Sequence, residues 1–146
     1  MALLELRDVS VTYRTGGLDV PAVRGVSLSV DAGQTLGIAG ESGCGKSTLT
    51  STVLRMQPKS ATVTGEVLVD GKDVTTMKWG KVRALRWAQA SMVFQGAMHA
   101  LNPVQKIGAQ IAEPILLHDK KATKSSADKR VGGLLEMVGL PARRAD

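Results

Sequence analysis

The fold is decided by nine consecutive residues, Gly40-Glu41-Ser42-Gly43-Cys44-Gly45-Lys46-Ser47-Thr48. They match the pattern G-x-x-x-x-G-K-[ST], a glycine-rich loop that joins a strand to a helix. The apolar residues 35–39 before the loop predict a short buried strand, and residues 47–54 after it predict a helix. Because both flanking elements stand where this loop requires them, the context favours a phosphate-binding loop over a chance glycine-rich turn.

Each residue type in this loop has a chemical reason. Glycines permit backbone angles closed to other residues, so that successive N–H groups can converge on one anion. The helix that follows adds unpaired N–H groups and the positive end of its dipole. Lys46 offers a mobile charge to the β- and γ-phosphates, and the Ser47 hydroxyl is placed to ligate Mg²⁺. The sequence therefore predicts a site for ATP or GTP with Mg²⁺, formed by Gly40, Ser42, Gly43, Cys44, Gly45, Lys46, Ser47 and Thr48.

Length and composition favour a globular chain. Its 146 residues, 43% of them hydrophobic, are about enough for one domain with a sizeable core. No apolar run approaches the roughly 18 residues of a membrane span, and charge interrupts the first residues too early for a signal peptide. We therefore expect the chain to stay in the cytoplasm. The one cysteine, Cys44, cannot form an internal disulfide.

The charge balance suits polyanionic partners. There are 19 basic and 13 acidic residues, giving a net charge of +6, which fits nucleotides, nucleic acid or the headgroup side of a membrane without choosing among them. The aromatic residues are too few for the stacking platform that single-strand binders use. We expect the indoles of Trp79 and Trp87 in the core, because burial removes much apolar area from water.

Hydrophobic periodicity separates a β-rich half from a helical half. Residues 4–13 and 22–30 alternate as strands and predict a hairpin around Gly16-Gly17. Residues 62–69 predict another strand that ends at the turn dipeptide Asp70-Gly71. Asp70 imitates the strand-end carboxylate that helps NTPases hold Mg²⁺, but the following glycine favours a hairpin turn. Further predictions are a short strand at 90–95, a loop at 96–103, and helices at 79–88, 104–117 and 125–138.

The order of these features resembles the ATP-binding subunits of ABC transporters, in the branch that serves oligopeptide and dipeptide importers. Residues 6–13 are similar to the family's opening strand, whose aromatic residue, Tyr13 here, stacks on adenine. Residues 40–48 match its Walker A loop. Residues 92–95 are similar to its Q-loop, whose glutamine, Gln95 here, contacts Mg²⁺ and the attacking water. Residues 96–103 are similar to the peptide-importer form of the following loop.

This resemblance implies a fold and a set of site residues. The expected fold is α/β, the N-terminal portion of a P-loop NTPase of the ABC class. Residues 1–102 would hold an antiparallel β subdomain and a partial P-loop core, and residues 103–146 the incomplete start of a helical subdomain. Lys46 and Gln95 would be catalytic, Ser47 and Gln95 would ligate Mg²⁺, and Tyr13 would join the loop in binding ATP.

The resemblance also implies partners. The full-length protein would work on the cytoplasmic face of the membrane, with transporter membrane subunits and a second ATPase subunit, and without direct contact to nucleic acid. The family's serine-glycine signature, Walker B aspartate, catalytic glutamate and switch histidine do not occur in these 146 residues. We therefore expect a fragment or truncated product that binds Mg-ATP but hydrolyses it negligibly. It should also expose strand edges and apolar surface, and self-associate.

Two alternatives remain open from the residues. The first is a nucleotide-dependent ATPase that acts on nucleic acid, which salt-sensitive DNA binding would favour. The second is a P-loop kinase or GTPase. Base choice discriminates against the second, because stacking on Tyr13 accepts adenine without guanine-specific contacts.

Overall fold

A computed structural model of the chain describes residues 2–86, 88–94, 96 and 101–146. The backbone divides into two compact units, Met1–Met92 and Val93–Asp146. The phosphate loop belongs to the first unit, and the two closing helices belong to the second.

A four-stranded antiparallel sheet dominates the first unit. It consists of β1 (Ala2–Thr15), β2 (Leu18–Asp31), β3 (Ala61–Val69) and β4 (Lys72–Asp73), in the spatial order β2-β1-β3-β4. The predicted hairpin is confirmed: β1 and β2 are joined by Gly16 and Gly17, both with positive φ (59° and 82°). Two positive φ angles in a two-residue connection match the twist of the flanking strands, which explains the pair of glycines.

The turn after β3 confirms the assignment of Asp70. Asp70 and Gly71 have φ angles of 50° and 68°, and they lead directly into β4. Asp70 therefore serves as the first residue of a tight hairpin turn, a position that tolerates aspartate and glycine because both adopt the left-handed conformation.

The core of the first unit lies between the sheet and a short helix. Inward-facing valines and leucines of β1 and β3 pack with the apolar side of α1 (Lys46–Val53), which the sequence predicted at 47–54. A second helix, α2 (Trp79–Leu85), is shorter than the predicted 79–88. The fully buried side chains of this core include Val9, Val11, Val67 and Val74.

Two predicted strands are wrong. Residues 35–39 lie in no strand, and Leu36 and Ile38 are 48% and 41% exposed. No strand in the described part of the chain pairs with this segment, and a strand needs a partner for its N–H and C=O groups. Likewise, residues 91–94 lie in no strand, and an isolated parallel bridge between Arg86 and Ala90 stands just before them. Gln95, and with it the end of that prediction, lies outside the described residues.

The prediction for the two tryptophans has a different outcome for each. The prediction that Trp79 is in the core is wrong, because its side chain is 56% exposed. Two guanidinium groups, of Arg55 and Arg86, lie over its ring at 4.8 and 5.6 Å from the centroid. Cation–π contacts of this kind hold an indole in place at the surface without burying it. Trp87 lies outside the described residues.

Two helices form the second unit. They are α3 (Ile107–His118) and α4 (Lys124–Met137), predicted at 104–117 and 125–138, followed by a 3₁₀ turn at Ala142–Ala145. Half of the predicted 96–103 loop, residues 97–100, lies outside the described residues. Thr123 begins α4 with a capping box, in which its side chain and that of Ser126 each accept from the other's backbone N–H. A small core lies between the helices, made of Ala112, Ala127, Val131 and Leu135.

Candidate functional site

The phosphate loop is shaped by glycines with left-handed backbone angles. Gly43 and Gly45 have φ angles of 83° and 95°, and Gly45 is the N-cap of α1. A Cβ at position 45 would overlap the backbone carbonyl oxygen of Ala22 in β2. Position 45 therefore requires glycine for two reasons: its left-handed backbone angle and the lack of space for a side chain beside β2.

The first turn of α1 presents backbone donors toward the loop. The first hydrogen bond of the helix runs from the Leu49 N–H to the Gly45 carbonyl, at 2.8 Å. The N–H groups of Lys46, Ser47 and Thr48 precede it and have no helical acceptor. Together with the positive end of the helix dipole, these donors provide the environment that an anionic group requires.

Lys46 holds the loop together through its ammonium group. The Nζ donates to the carbonyl oxygens of Gly40 and Glu41 at 2.8 and 2.6 Å, and lies 3.3 Å from the Sγ of Cys44. The loop thus folds around its own lysine, and the positive charge lies among the backbone groups predicted to bind phosphate. The structure thus brings Gly40, Cys44 and Lys46 of the predicted site into contact, while binding of phosphate by residues 40–48 stays a prediction.

The hydroxyl side chains of the loop differ in exposure. Ser42 and Ser47 are exposed, and Thr48 is half-buried. Ser47 therefore fits the predicted role toward Mg²⁺, because this ion commonly takes one or two protein oxygens and completes its shell with water and substrate phosphates. In the part of the chain that the structure describes, no group of three His, Cys, Asp or Glu side chains could hold a metal instead.

Tyr13 stands beside the helix that follows the loop. It lies near the end of β1, paired with Val20 of β2 and Ala61 of β3, and its half-buried ring packs against the core. Its hydroxyl donates to the Oγ1 of Thr48 at 3.3 Å. The structure therefore brings this aromatic residue to the predicted site, while its stacking on adenine stays a prediction. The position of Gln95 also stays a prediction, since that residue lies outside the described part of the chain.

The sequence analysis missed the residues that hold the far end of α1. The Nε and Nη2 of Arg86 each lie 2.9 Å from a backbone carbonyl oxygen, of Leu54 and Arg55 respectively. Arg55 in turn donates from Nη1 to the Met77 carbonyl at 2.6 Å. An arginine near the end of the predicted helix 79–88 carries no sequence signal of such a role, because its acceptors are backbone groups about 30 residues away.

Residues 23–146 match the family model described as ABC transporter, and the chain therefore belongs to the ABC transporter family. The resemblance found in the sequence is thus confirmed over most of the chain.

Curated relatives of the chain include ATP-binding proteins of peptide transport. It is 39% identical over 141 residues to the oligopeptide transport ATP-binding protein OppD of Bacillus subtilis (strain 168), covering 95% of this chain and 39% of the relative. It is 41% identical over 140 residues to the dipeptide transport ATP-binding protein DppD of Lactococcus lactis subsp. cremoris (strain MG1363), covering 95% of this chain and 40% of the relative. The chain spans about two fifths of the length of these two relatives.

Solved structures support the fold. The dimeric structure of MJ0796, a bacterial ABC transporter cassette, matches with a TM-score of 0.78 and 24% identity, over 98% of this chain and 60% of that chain. A post-hydrolysis dimeric structure of the same cassette, bound to ADP and Pi, has the same score and identity, over 97% of this chain and 60% of that chain. The predicted fold class, an N-terminal portion of an ABC ATPase with an antiparallel sheet and helices, is confirmed. No helix in the described ranges is long and apolar enough to cross a bilayer.

Proposed function

We propose that this chain is the ATP-binding part of an ATPase subunit that energises the import of peptides or similar small solutes. The observation that carries the proposal is the loop at 40–48, where Lys46 Nζ is held on the carbonyl oxygens of Gly40 and Glu41 and the first N–H groups of α1 have no helical acceptor. The names of the relatives support the solute class, because they include both oligopeptide and dipeptide transport ATP-binding proteins.

The loop residues divide the work of binding Mg-ATP. Backbone N–H groups from Gly43 to Thr48 and the ammonium of Lys46 hold the β- and γ-phosphates, and Tyr13 stacks on adenine. The Ser47 hydroxyl and the Gln95 side chain hold Mg²⁺, and Gln95 also orients the attacking water. When bound, Mg²⁺ neutralises charge on the phosphate oxygens. The assignments of Tyr13 and Gln95 rest on the family resemblance.

The organisation of the full-length protein follows from the same family. We propose that residues 1–102 reach from the β subdomain to the Q-loop and that residues 103–146 begin a helical subdomain. The subunit works at the cytoplasmic face of a membrane, bound to membrane subunits and paired with a second ATPase subunit. The dimeric cassette MJ0796 supports the pairing.

The test of nucleotide binding is a titration of the 146-residue chain with Mg-ATP, followed by amide NMR shifts. We expect the amides of residues 40–48 to shift with saturation, and Lys46→Ala to weaken binding by about tenfold or more, because a charge-assisted contact to phosphate is lost. Lys81→Ala, which removes the same charge from an exposed position of α2, is the matched control and should bind as the parent does. Undisturbed loop amides in the folded chain would contradict the proposal.

A second experiment tests whether the chain hydrolyses ATP. Phosphoryl transfer needs metal ligands and a positioned nucleophile at once. Among these 146 residues we assign Lys46 and Gln95 to such roles, but no counterpart of the family's Walker B aspartate or catalytic glutamate. We therefore propose that the chain by itself releases phosphate from ATP at a negligible rate. Steady-state phosphate release that Lys46→Ala abolishes would refute this.

Titrations with other ligands separate the proposed function from the two alternative functions. Preference for Mg-GTP over Mg-ATP would favour a GTPase, and binding to duplex DNA that weakens steeply with salt would favour a nucleic-acid ATPase. The proposed importer function predicts binding of Mg-ATP and no DNA binding beyond that of any basic protein.

A further inference from the structure

The end of α1 farthest from the phosphate loop is held by one guanidinium group. The Nε and Nη2 of Arg86 approach the carbonyl oxygens of Leu54 and Arg55 at 2.9 Å each. Leu54 is the C-cap of α1. The last carbonyls of a helix have no helical donor, so the planar fork of the Arg86 guanidinium satisfies the Leu54 carbonyl and also binds the Arg55 carbonyl, one residue beyond the C-cap. Its positive charge is favourable at this end of the dipole.

Arg86 is itself fixed on three sides. It is the C-cap of α2, its backbone bridges Ala90, and its guanidinium lies 5.6 Å from the ring centroid of Trp79. The guanidinium of Arg55 lies 4.8 Å from the same centroid and donates to the Met77 carbonyl. These contacts therefore hold the Arg86 guanidinium in the position from which it binds the end of α1.

The helix between this fork and the phosphate loop is short. α1 has 8 residues, from Lys46 to Val53, and such a helix is about 12 Å long. A helix of two turns moves as one piece, so any displacement at Leu54 is passed to Lys46. Fixing the C-terminal end of α1 therefore fixes the N–H groups and the lysine that face the phosphates.

We propose that Arg86 is a positioning residue for the phosphate loop, acting through the carbonyls of Leu54 and Arg55. It ties the loop to a chain segment that reaches Gln95 nine residues later in the sequence. The consequence for nucleotide rests on the proposed function, whereas the positioning of α1 rests on the hydrogen bonds alone.

Hydrogen exchange tests the positioning without nucleotide. In Arg86→Lys the charge remains but the two-pronged contact is lost. We expect the α1 amides from Leu49 to Val53 to exchange about tenfold faster, as expected for the loss of a hydrogen bond to a charged donor. Amides of β1 and β2 should exchange as in the parent. Arg83→Lys, on an exposed position of α2, is the matched control and should change neither set. Parental exchange of α1 in Arg86→Lys would overturn the proposal.

The affinity for Mg-ATP provides a second measurement, because this affinity would not change if Arg86 had only a general structural role. If Arg86 served only as a charge at the helix end, Arg86→Lys would bind as the parent does, and the proposal would fail. We expect instead an affinity about five- to tenfold lower, at a temperature where circular dichroism shows both chains folded. If the parent chain binds no Mg-ATP, the proposed function fails, and the exchange measurement still decides the role of Arg86.

Discussion

Gly45 lies against Ala22 so closely that the carbonyl oxygen of Ala22 occupies the place of any Cβ at position 45. This contact joins the phosphate loop to β2, far from the loop in sequence. Because Gly45 also has a left-handed φ of 95° and caps α1, one residue sets both the direction of the helix and its distance from the sheet.

Gly45→Ala should destabilise the chain strongly. The methyl group meets backbone, which cannot rotate away, and the left-handed angle adds strain, so we expect a loss of about 3 kcal/mol in the free energy of unfolding, measured with urea. Gly43→Ala is the matched control: its φ is 83°, yet no atom lies within 4 Å of the added Cβ. That variant should lose only about 1 kcal/mol. Equal losses for both variants would show that the contact with Ala22 is unimportant.

Tyr13 is predicted to contribute through its ring and only weakly through its hydroxyl. Tyr13→Phe removes the 3.3 Å contact with Thr48 and keeps the ring, so its affinity for Mg-ATP should stay within about twofold of the parent. Tyr13→Leu removes the stacking surface and should weaken binding by about tenfold, since base stacking is worth about 1–3 kcal/mol. Isothermal titration calorimetry measures both.

Magnesium tripolyphosphate provides the control for this comparison, because it carries the phosphates without a base. Its affinity should be the same for the parent and for Tyr13→Leu. A parallel loss for both ligands would mean that the leucine variant disturbs the phosphate loop, and stacking would then not be its explanation.

Asp73 makes the stability of the first unit depend on acid pH. Burial opposes ionisation of this carboxyl, but hydrogen bonds from Thr75, Thr76 and the Val67 N–H outweigh it and lower its pKa below the ordinary 3.8. A lowered folded pKa means that the stabilisation is complete above the unfolded value and is lost as the pH falls through the folded one.

Asp73→Asn should therefore cost about 1 kcal/mol at about pH 7 and less at about pH 3, because below the ordinary pKa of 3.8 the unfolded carboxyl takes up a proton more readily than the folded one. Urea unfolding at both pH values measures the difference. Asp19→Asn, on an exposed residue of β2, is the control. If the loss in the free energy of unfolding were the same at both pH values, the charge on Asp73 would not explain it.

Exposed apolar side chains predict self-association. Leu36 and Ile38 line an open groove of about 370 Å³ whose walls include Leu4, Leu28 and Leu49. We expect the molar mass from light scattering to rise with concentration, and Ile38→Lys to reduce that rise. Val20→Lys, at a 50% exposed position outside the groove, should have a smaller effect. A monomer at every concentration would contradict this prediction.

Local chemistry explains which parts of the fold were predictable. Both hairpin turns follow from residue pairs that accept left-handed angles, Gly16-Gly17 and Asp70-Gly71. The loop at 40–48 and the start of α1 follow from one short pattern. In each case the deciding residues are neighbours in sequence, so the pattern alone carries the information.

The remaining features depend on contacts between distant residues. The apolar residues 35–39 read as a strand, yet strand formation requires a partner, and none in the described ranges pairs with them. Trp79 was predicted to lie in the core because burial favours indoles, whereas Arg55, distant in sequence, and Arg86, at the end of the same helix, lie over its exposed ring. The sequence analysis missed the contact of Arg86 with the end of α1 for the same reason, because its acceptors are backbone carbonyls, which any residue provides.

The lysine of the loop has acceptors of its own, the carbonyls of Gly40 and Glu41. An incoming anion must exchange with them, and it gains only the difference between its oxygens and two neutral carbonyls. A weakly charged anion gains little by that exchange, while a polyphosphate with several ionised oxygens gains much more. We therefore expect this competition within the loop to favour ligands with several ionised oxygens over weakly charged anions.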